Sequence, residues 1–492
     1  MFKRISIKLV LFYAASILFM LLNAYFVVKK DSLFINALPL VFIVVLLAVF
    51  SFEKLIYLIV FFTPLSMPLR SLIPGLSFDM YLPTEPLLFG VLIIFILKIV
   101  SEKSFNRKIL IHPVSIIIYL NLLWILITSF TSTMPVVSFK FFLARVWFLV
   151  GFFFLAIKIF EKKENIEKYV WLYVIPFIIV IFYSTFRHIG YGLWDKDAAH
   201  FVVEPFYNDH TSYGAISAMY LPFLFGFSFN KEGSKWFKIF ARIALIVVIG
   251  GLILSYSRAA WISALAAFII WGVIKLRIRF KPLLITFLSL LGLFLLFQTQ
   301  ILMYLERNSE ESSANIFEHI TSMSNITTDA SNMERINRWS CAIRMFEEKP
   351  FFGYGPGTYM FKYAPFQLSK NRTIISTNAA DGGNAHSEYL GPLAESGILG
   401  TITFLLLIII VIYTAIHAYT RTKDPRLKMI LLSALLGLIT YYIHGLMNNF
   451  LDTDKVSVPF WGFTAMIVTI DIYSRKQLHK NKNSETASPG IN

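Results

Sequence analysis

Apolar residues run along this chain in blocks long enough to cross a bilayer, separated by short charged or polar breaks, from the first ten residues almost to the end. A crossing helix needs roughly 20 apolar residues. On that scale the pattern predicts spans near 9–28, 33–50, 54–69, 85–101, 113–131, 140–158, 169–187, 211–229, 239–256, 259–275, 282–300, 398–419, 427–446 and 457–473. That makes about 14 transmembrane helices, or about 12 if the shortest are re-entrant. Barrel strands would give short segments of alternating polarity, and the sequence has none of that kind. The expected fold class is an all-α polytopic membrane protein.

Two polar intervals interrupt this regularity. The stretch 188–210 is rich in His, Asp, Trp and Tyr, and the long interval 301–397 is the one soluble subdomain. Within the second, 306–332 is rich in Ser, Asn and Glu and reads as mobile. Met333, Ile336, Trp339, Ile343 and Phe346 then recur at helical spacing and predict an amphipathic helix over 333–349 with those residues on its apolar face. Pro350 ends it, Gly-Tyr-Gly-Pro-Gly at 353–357 predicts a tight turn, and 365–383 reads as an irregular polar loop. The expected organisation is an N-terminal bundle over 1–300, the loop subdomain over 301–397, C-terminal spans over 398–474 and a tail over 475–492.

Charge adds orientation. The formal net charge of +16 would suggest nucleic acid in a soluble protein, but this chain is 57% hydrophobic with mean hydropathy +0.67. Its Lys and Arg concentrate in breaks that alternate to one side, among them Lys103/Arg107/Lys108, Lys162/Lys163/Lys168, Arg421/Lys423/Arg426/Lys428 and Arg475/Lys476/Lys480. Such bias marks the cytoplasmic side, which places both termini there and turns 70–84, 188–210, 301–397 and 447–456 outward. Lys29 and Lys30 alone fit this scheme poorly. No nucleic-acid partner is expected. The basic start followed by an apolar run lacks a small-residue cleavage site and reads as an uncleaved first helix. Cys341 is the only cysteine, which excludes an intrachain disulfide and a thiolate metal cluster.

The span interiors read as nearly free of charge, so ionisable residues at the outward edge stand out. Arg258, in Leu-Ser-Tyr-Ser-Arg-Ala-Ala-Trp, lies at an outward turn where a charge near hydrocarbon must be paired or functional. Arg335, Arg338 and Arg344 share the loop helix with Glu334, Glu347 and Glu348; such charges commonly form a solvated face, yet a guanidinium fork also suits a diphosphate. Arg335 and Trp339, four apart, share a helix face. His386 follows Gly382 and Gly383 at a membrane edge, with Tyr389 one turn along, and an imidazole suits a general base near neutral pH. Glu388, two residues on, would not face it on a helix. Arg70, Arg145 and His210 lie near the same face as secondary candidates. His188, His200 and His210 with Asp195, Asp197 and Asp209 match no standard ligand spacing, so no metal site is expected. Nor is there a P-loop, a dinucleotide fingerprint or a Ser-His-Asp arrangement.

In combination, three motifs resemble a known family. Ser257-Arg-Ala-Ala-Trp261, Arg335-Ile-Asn-Arg-Trp339 through Lys349-Pro-Phe-Phe-Gly-Tyr-Gly-Pro-Gly357, and His386-Ser-Glu-Tyr-Leu390 through Gly397-Ile-Leu-Gly400 resemble, in order and spacing, the O-antigen ligase and Wzy-type polymerase superfamily of bacterial polysaccharide enzymes. Ser387 stands where that pattern more often has Asn. The resemblance covers roughly 200–470 and implies a GT-C-like membrane fold in the bacterial inner membrane. It implies an undecaprenyl-diphosphate-linked glycan as donor and lipid A-core or another hydroxyl as acceptor, with inversion and without cofactor or metal. Arg258 and Arg335 would then bind the diphosphate, His386 would act as base, and the polyprenyl tail would lie between spans among membrane lipid. A ligase is the expected reaction, with a Wzy-type polymerase or a protein O-oligosaccharyltransferase as alternatives. A lipid-linked oligosaccharide transporter, the competing class, would show repeat symmetry and charges along a pathway; no internal repeat is visible.

Overall fold

A computed structural model describes residues 7–30, 34–73, 79–102, 106–230, 233–276, 289, 330–369, 372, 376 and 383–486. The expected span at 282–300, residue 289 aside, and the polar stretch 306–329 lie outside them. The described chain is helical apart from one two-stranded antiparallel ribbon, Met67–Pro68 against Tyr81–Leu82, with Met67 opposite Leu82. Ten described helices are long and apolar enough to cross a membrane, and the protein is an all-α polytopic membrane protein.

Two of the expected spans fall short of a membrane crossing, for a local reason. The apolar run 33–50 yields a helix of only 14 residues, Ala37–Phe50, and 54–69 yields 11, Phe52–Phe62. A tight turn at Thr63–Leu65 with Pro64, then the ribbon, stops the second run. Hydropathy counts apolar residues but does not register where the backbone changes course. The helix His210–Phe229, 20 residues with Pro222 inside, also has spanning length and is buried along most of it.

The chain divides into two units, Met1–Ile59 and Val60–Asn492. The first contains the helices Ile7–Lys30 and Ala37–Phe50. The second is the helical body, in which His210–Phe229 packs against Lys235–Leu254, Arg258–Lys275 and Pro425–His444. Chain direction alternates through this body, so one end gathers the segments 63–73, 79–84, 191–210, 255–258, 383–390 and 444–454. Hydrogen bonds tie that end together: Asn208 Nδ2 donates to Tyr81 Oη at 2.6 Å, and Glu388 N donates to Gly445 O at 2.8 Å.

The opposite end collects the basic breaks, with several charges paired inside. Arg426 grips Glu167 with two N–H groups at 2.5 and 2.6 Å. The fully buried Asp471 accepts from Arg475 Nε at 2.7 Å, lies 3.2 Å from His112 Nε2, and also takes Arg421. At the first end, buried Lys455 donates to Thr63 O at 2.6 Å and Ser66 O at 2.7 Å, while Asp454 accepts from Ser66 and Thr84 hydroxyls at 2.6 Å each. The span interiors are therefore less charge-free than the sequence reading held. Glu167, Arg426, Asp454 and Lys455 sit near helix ends, where their neighbours barely lower the average hydropathy, and each has a partner distant in sequence.

Candidate functional site

The helix expected over 333–349 spans Ala330–Glu348. Its buried face is different from the one hydropathy picked: Glu334, Asn337, Arg338, Cys341, Ala342 and Met345 are buried, while Ile343 is exposed. Polar residues can occupy that face because they satisfy one another. Arg338 Nε donates to Glu334 Oε1 at 2.6 Å, and its guanidinium lies 3.9 Å from the centre of the Tyr363 ring. Asn337 Nδ2 donates to Gln367 Oε1 at 2.9 Å, and Arg344 Nε to Phe366 O at 2.7 Å.

The glycine-rich turn after Pro350 docks this helix onto the start of Leu390–Arg421. Tyr354 N donates to Ala394 O at 3.0 Å, Gly355 N to Glu395 O at 2.8 Å, and Ile398 N to Pro350 O at 2.9 Å. Tyr359 N donates to the Glu395 carboxylate at 3.0 Å. Gly397 interrupts the long helix with φ 67° and ψ −166°. A side chain there would collide with the Phe351 backbone, and one at Gly353 would collide with that of Glu395. The spaced glycines of both motifs thus permit one close backbone contact, and that contact fixes what precedes it, residues 383–390.

His386 lies in that segment with φ 49°. Among the described residues only it and Tyr256 are non-glycine residues at positive φ, and Tyr256 sits in the turn just before Arg258. Bulky residues rarely hold this conformation, and such strain collects at functional sites. The turn at His386 is held by its own backbone: its N–H donates to Asn384 Oδ1 at 3.0 Å, and its carbonyl accepts from Trp339 Nε1 at 3.2 Å. Gly383 lies so close to the Arg338 guanidinium that a side chain there would have to displace it. With the backbone so pinned, the imidazole Nδ1 is buried with no hydrogen-bond partner among the described residues. A buried polar atom left this way in a built turn needs an explanation.

Electrostatics set its protonation. Burial, and after it the charges of Arg335 and Arg338, press the His386 pKa down to about 4, only partly opposed by Asp209 and Glu334. The ring is therefore neutral near pH 7 and able to accept a proton. Asp209 caps the His210–Phe229 helix, accepting from Thr211 N at 2.9 Å, and lies 3.0 Å from His210 Nδ1. Burial raises its carboxyl, but the hydrogen bonds from His210 and Thr211 and the His210 charge outweigh it and hold it below the usual carboxylate range. His200 packs edge-on to His210, ring centres 4.1 Å apart.

His444, the last residue of Pro425–His444, completes the cluster and was missed in the sequence. It is buried, feels Asp209 and Arg335, and lies against the backbone of Ala259; its Nε2 lies 3.2 Å from Asn448 Nδ2. A histidine in the last turn of a span, just before an outward polar loop, was the signal available. Through Ala259 it also links the turn carrying Arg258. That arginine opens the helix Arg258–Lys275, which Ser257 caps by accepting from Ala260 N at 3.3 Å. His386, Arg335, Asp209 and His444 thus converge, with the Arg258 turn at their edge.

The other candidates have other partners. Arg338 is committed to Glu334 and Tyr363. The Tyr389 hydroxyl donates to Tyr442 O at 2.7 Å. Arg145 sits deeper, its Nη1 3.5 Å from Leu451 O, beside a small cavity of about 40 Å³ that Glu388 and Glu395 also line. Arg70 is exposed, and its backbone N–H donates to Asp79 Oδ1 at 3.1 Å.

Residues 243–405 match the family model described as O-antigen ligase, and that segment contains Arg258, Arg335 and His386. Comparison with curated proteins gives no match.

Proposed function

We propose that this O-antigen ligase-family membrane protein transfers a glycan from an undecaprenyl-diphosphate donor to an acceptor hydroxyl on the periplasmic face of the bacterial inner membrane, with both termini in the cytoplasm. The observation that carries the reading is the neutral, strained His386 beside Arg335, inside the matched segment. His386 is the general base, and Arg258 and Arg335 bind the diphosphate. The acceptor oxygen bonds to the anomeric carbon as the bond from that carbon to the diphosphate oxygen breaks, with inversion. The electron pair leaves on the polyprenyl diphosphate, whose growing charge the arginines stabilise, and the hydroxyl proton passes to the imidazole. Neither a metal nor a nucleotide takes part, because the donor is already activated.

The charge arrangement adds a control. Without donor, burial and, after it, the arginines keep His386 a weak base. A bound diphosphate offsets their charge, so the imidazole becomes more basic when there is a glycan to transfer.

Lipid A-core is the favoured acceptor, which makes the reaction a ligation. Reconstitution in vesicles with polyprenyl-diphosphate glycan and candidate acceptors tests this: the intact protein is expected to transfer glycan, and His386→Ala and Arg258→Ala to lose transfer. Equal transfer by both variants would refute the mechanism, and lipid flipping without transfer would indicate a transporter. In cells lacking the chain, lipid-linked polymer left unattached marks a ligase, whereas single-repeat glycans mark a polymerase and unmodified proteins a protein O-oligosaccharyltransferase.

A further inference from the structure

The end of the body opposite His386 holds a cavity of about 600 Å³. That volume is in the range of small-ligand sites. Lys476, in its lining, lies 22 residues along the helix Asp454–Thr486 from Asp454, a rise of roughly 33 Å from the end of the body that also holds the cluster. Nothing in the proposed transfer reaction uses it.

Its walls are of two kinds. Ile109, Ile157, Phe160 and Ile470 supply apolar lining, and Lys108, Lys163 and Lys476 supply charge. Glu161 is the single acid among the lining residues. Lys163 contacts Asp424 at 3.0 Å, but with side chains 39% and 33% exposed that pair is screened by water. Lys163 also lies 4.4 Å from the centre of the Tyr473 ring, whose hydroxyl accepts from Gln477 Nε2 at 2.8 Å. Beside the lining, Asp471 is already shared among His112, Arg421 and Arg475, so it does not neutralise the lysines. Cations exceed acids around an apolar floor at the ends of membrane-spanning helices. A molecule anionic at one end and apolar at the other fits that arrangement, and basic pockets between spans are known to hold lipid headgroups.

We propose that this cavity binds an anionic phospholipid, its phosphate held by Lys108, Lys163 and Lys476 and the first acyl carbons lying on the apolar lining.

The test is native mass spectrometry of the full chain released from mixed phosphatidylglycerol and phosphatidylcholine nanodiscs. Phosphatidylglycerol is expected to be retained preferentially. Lys108→Gln or Lys476→Gln is expected to lower that retention about fivefold, and the double variant about twenty-five-fold. Lys196→Gln, exposed at the other end, serves as the control and is expected to change nothing. Matching thermal unfolding of the variants separates lost binding from lost folding. Equal retention of phosphatidylcholine, or a double variant that holds phosphatidylglycerol like wild type, would overturn the proposal. So would full displacement of the lipid by glycerol 3-phosphate, which would assign the site to a soluble phosphate.

Discussion

His386 and Glu388 are two residues apart and have opposite fates. Glu388 is buried, and its carboxylate accepts from Tyr441 Oη and from the backbone N–H groups of Phe450 and Leu451 at 2.8 Å each. Burial raises its pKa, and these hydrogen bonds counter the rise. Its work is to hold the 445–451 loop against the start of the Leu390–Arg421 helix. His386 differs: its backbone is tied down while its ring Nδ1 has no hydrogen-bond partner among the described residues. A satisfied polar group builds a scaffold, and an unsatisfied one on a fixed backbone is available for chemistry. Alternation in a strained turn puts the two roles on neighbouring faces.

Substitutions can break that division. His386→Ala is expected to cut transfer about 10²–10⁴-fold with the unfolding midpoint unchanged; a parallel loss of stability would show that the ring is scaffold after all. Glu388→Ala should do the reverse, destabilising by about 3–5 kcal/mol because three buried donors lose their acceptor. Thermal unfolding in detergent reads this, and a stable, inactive Glu388→Ala would place that carboxylate in the chemistry instead. Arg335→Ala is expected to cost about 10²–10³-fold in transfer, with Arg335→Lys recovering only part because a point charge lacks the planar fork.

The smallest effect is on pH. The base must be unprotonated to act, so kcat/KM falls as pH drops through the pKa of the donor-free His386. With that pKa near 4, the acid limb should lie well below the ordinary histidine value of about 6.5. Arg335→Gln removes one of the charges that depress it, so the limb should move upward toward that value. A limb unmoved by the substitution would mean Arg335 does not act on the ring.

Hydropathy by itself settled the class of this protein: helical and many times membrane-crossing. It is a sum over neighbours in sequence, so it can be read without a fold. The ordered motifs likewise marked Arg258, Arg335 and His386. The tertiary structure decided which face of the 330–348 helix is buried, because the partners that let Glu334 and Arg338 go inside include Tyr363 and Ser376. It also brought Asp209 within electrostatic reach of both His386 and His444 from segments far away in sequence, and gave the glycines a shared purpose in the contact between the 350–355 turn and residues 394–398. Burial of a polar group depends on a partner supplied by the fold, and sequence spacing carries no record of partners that distant.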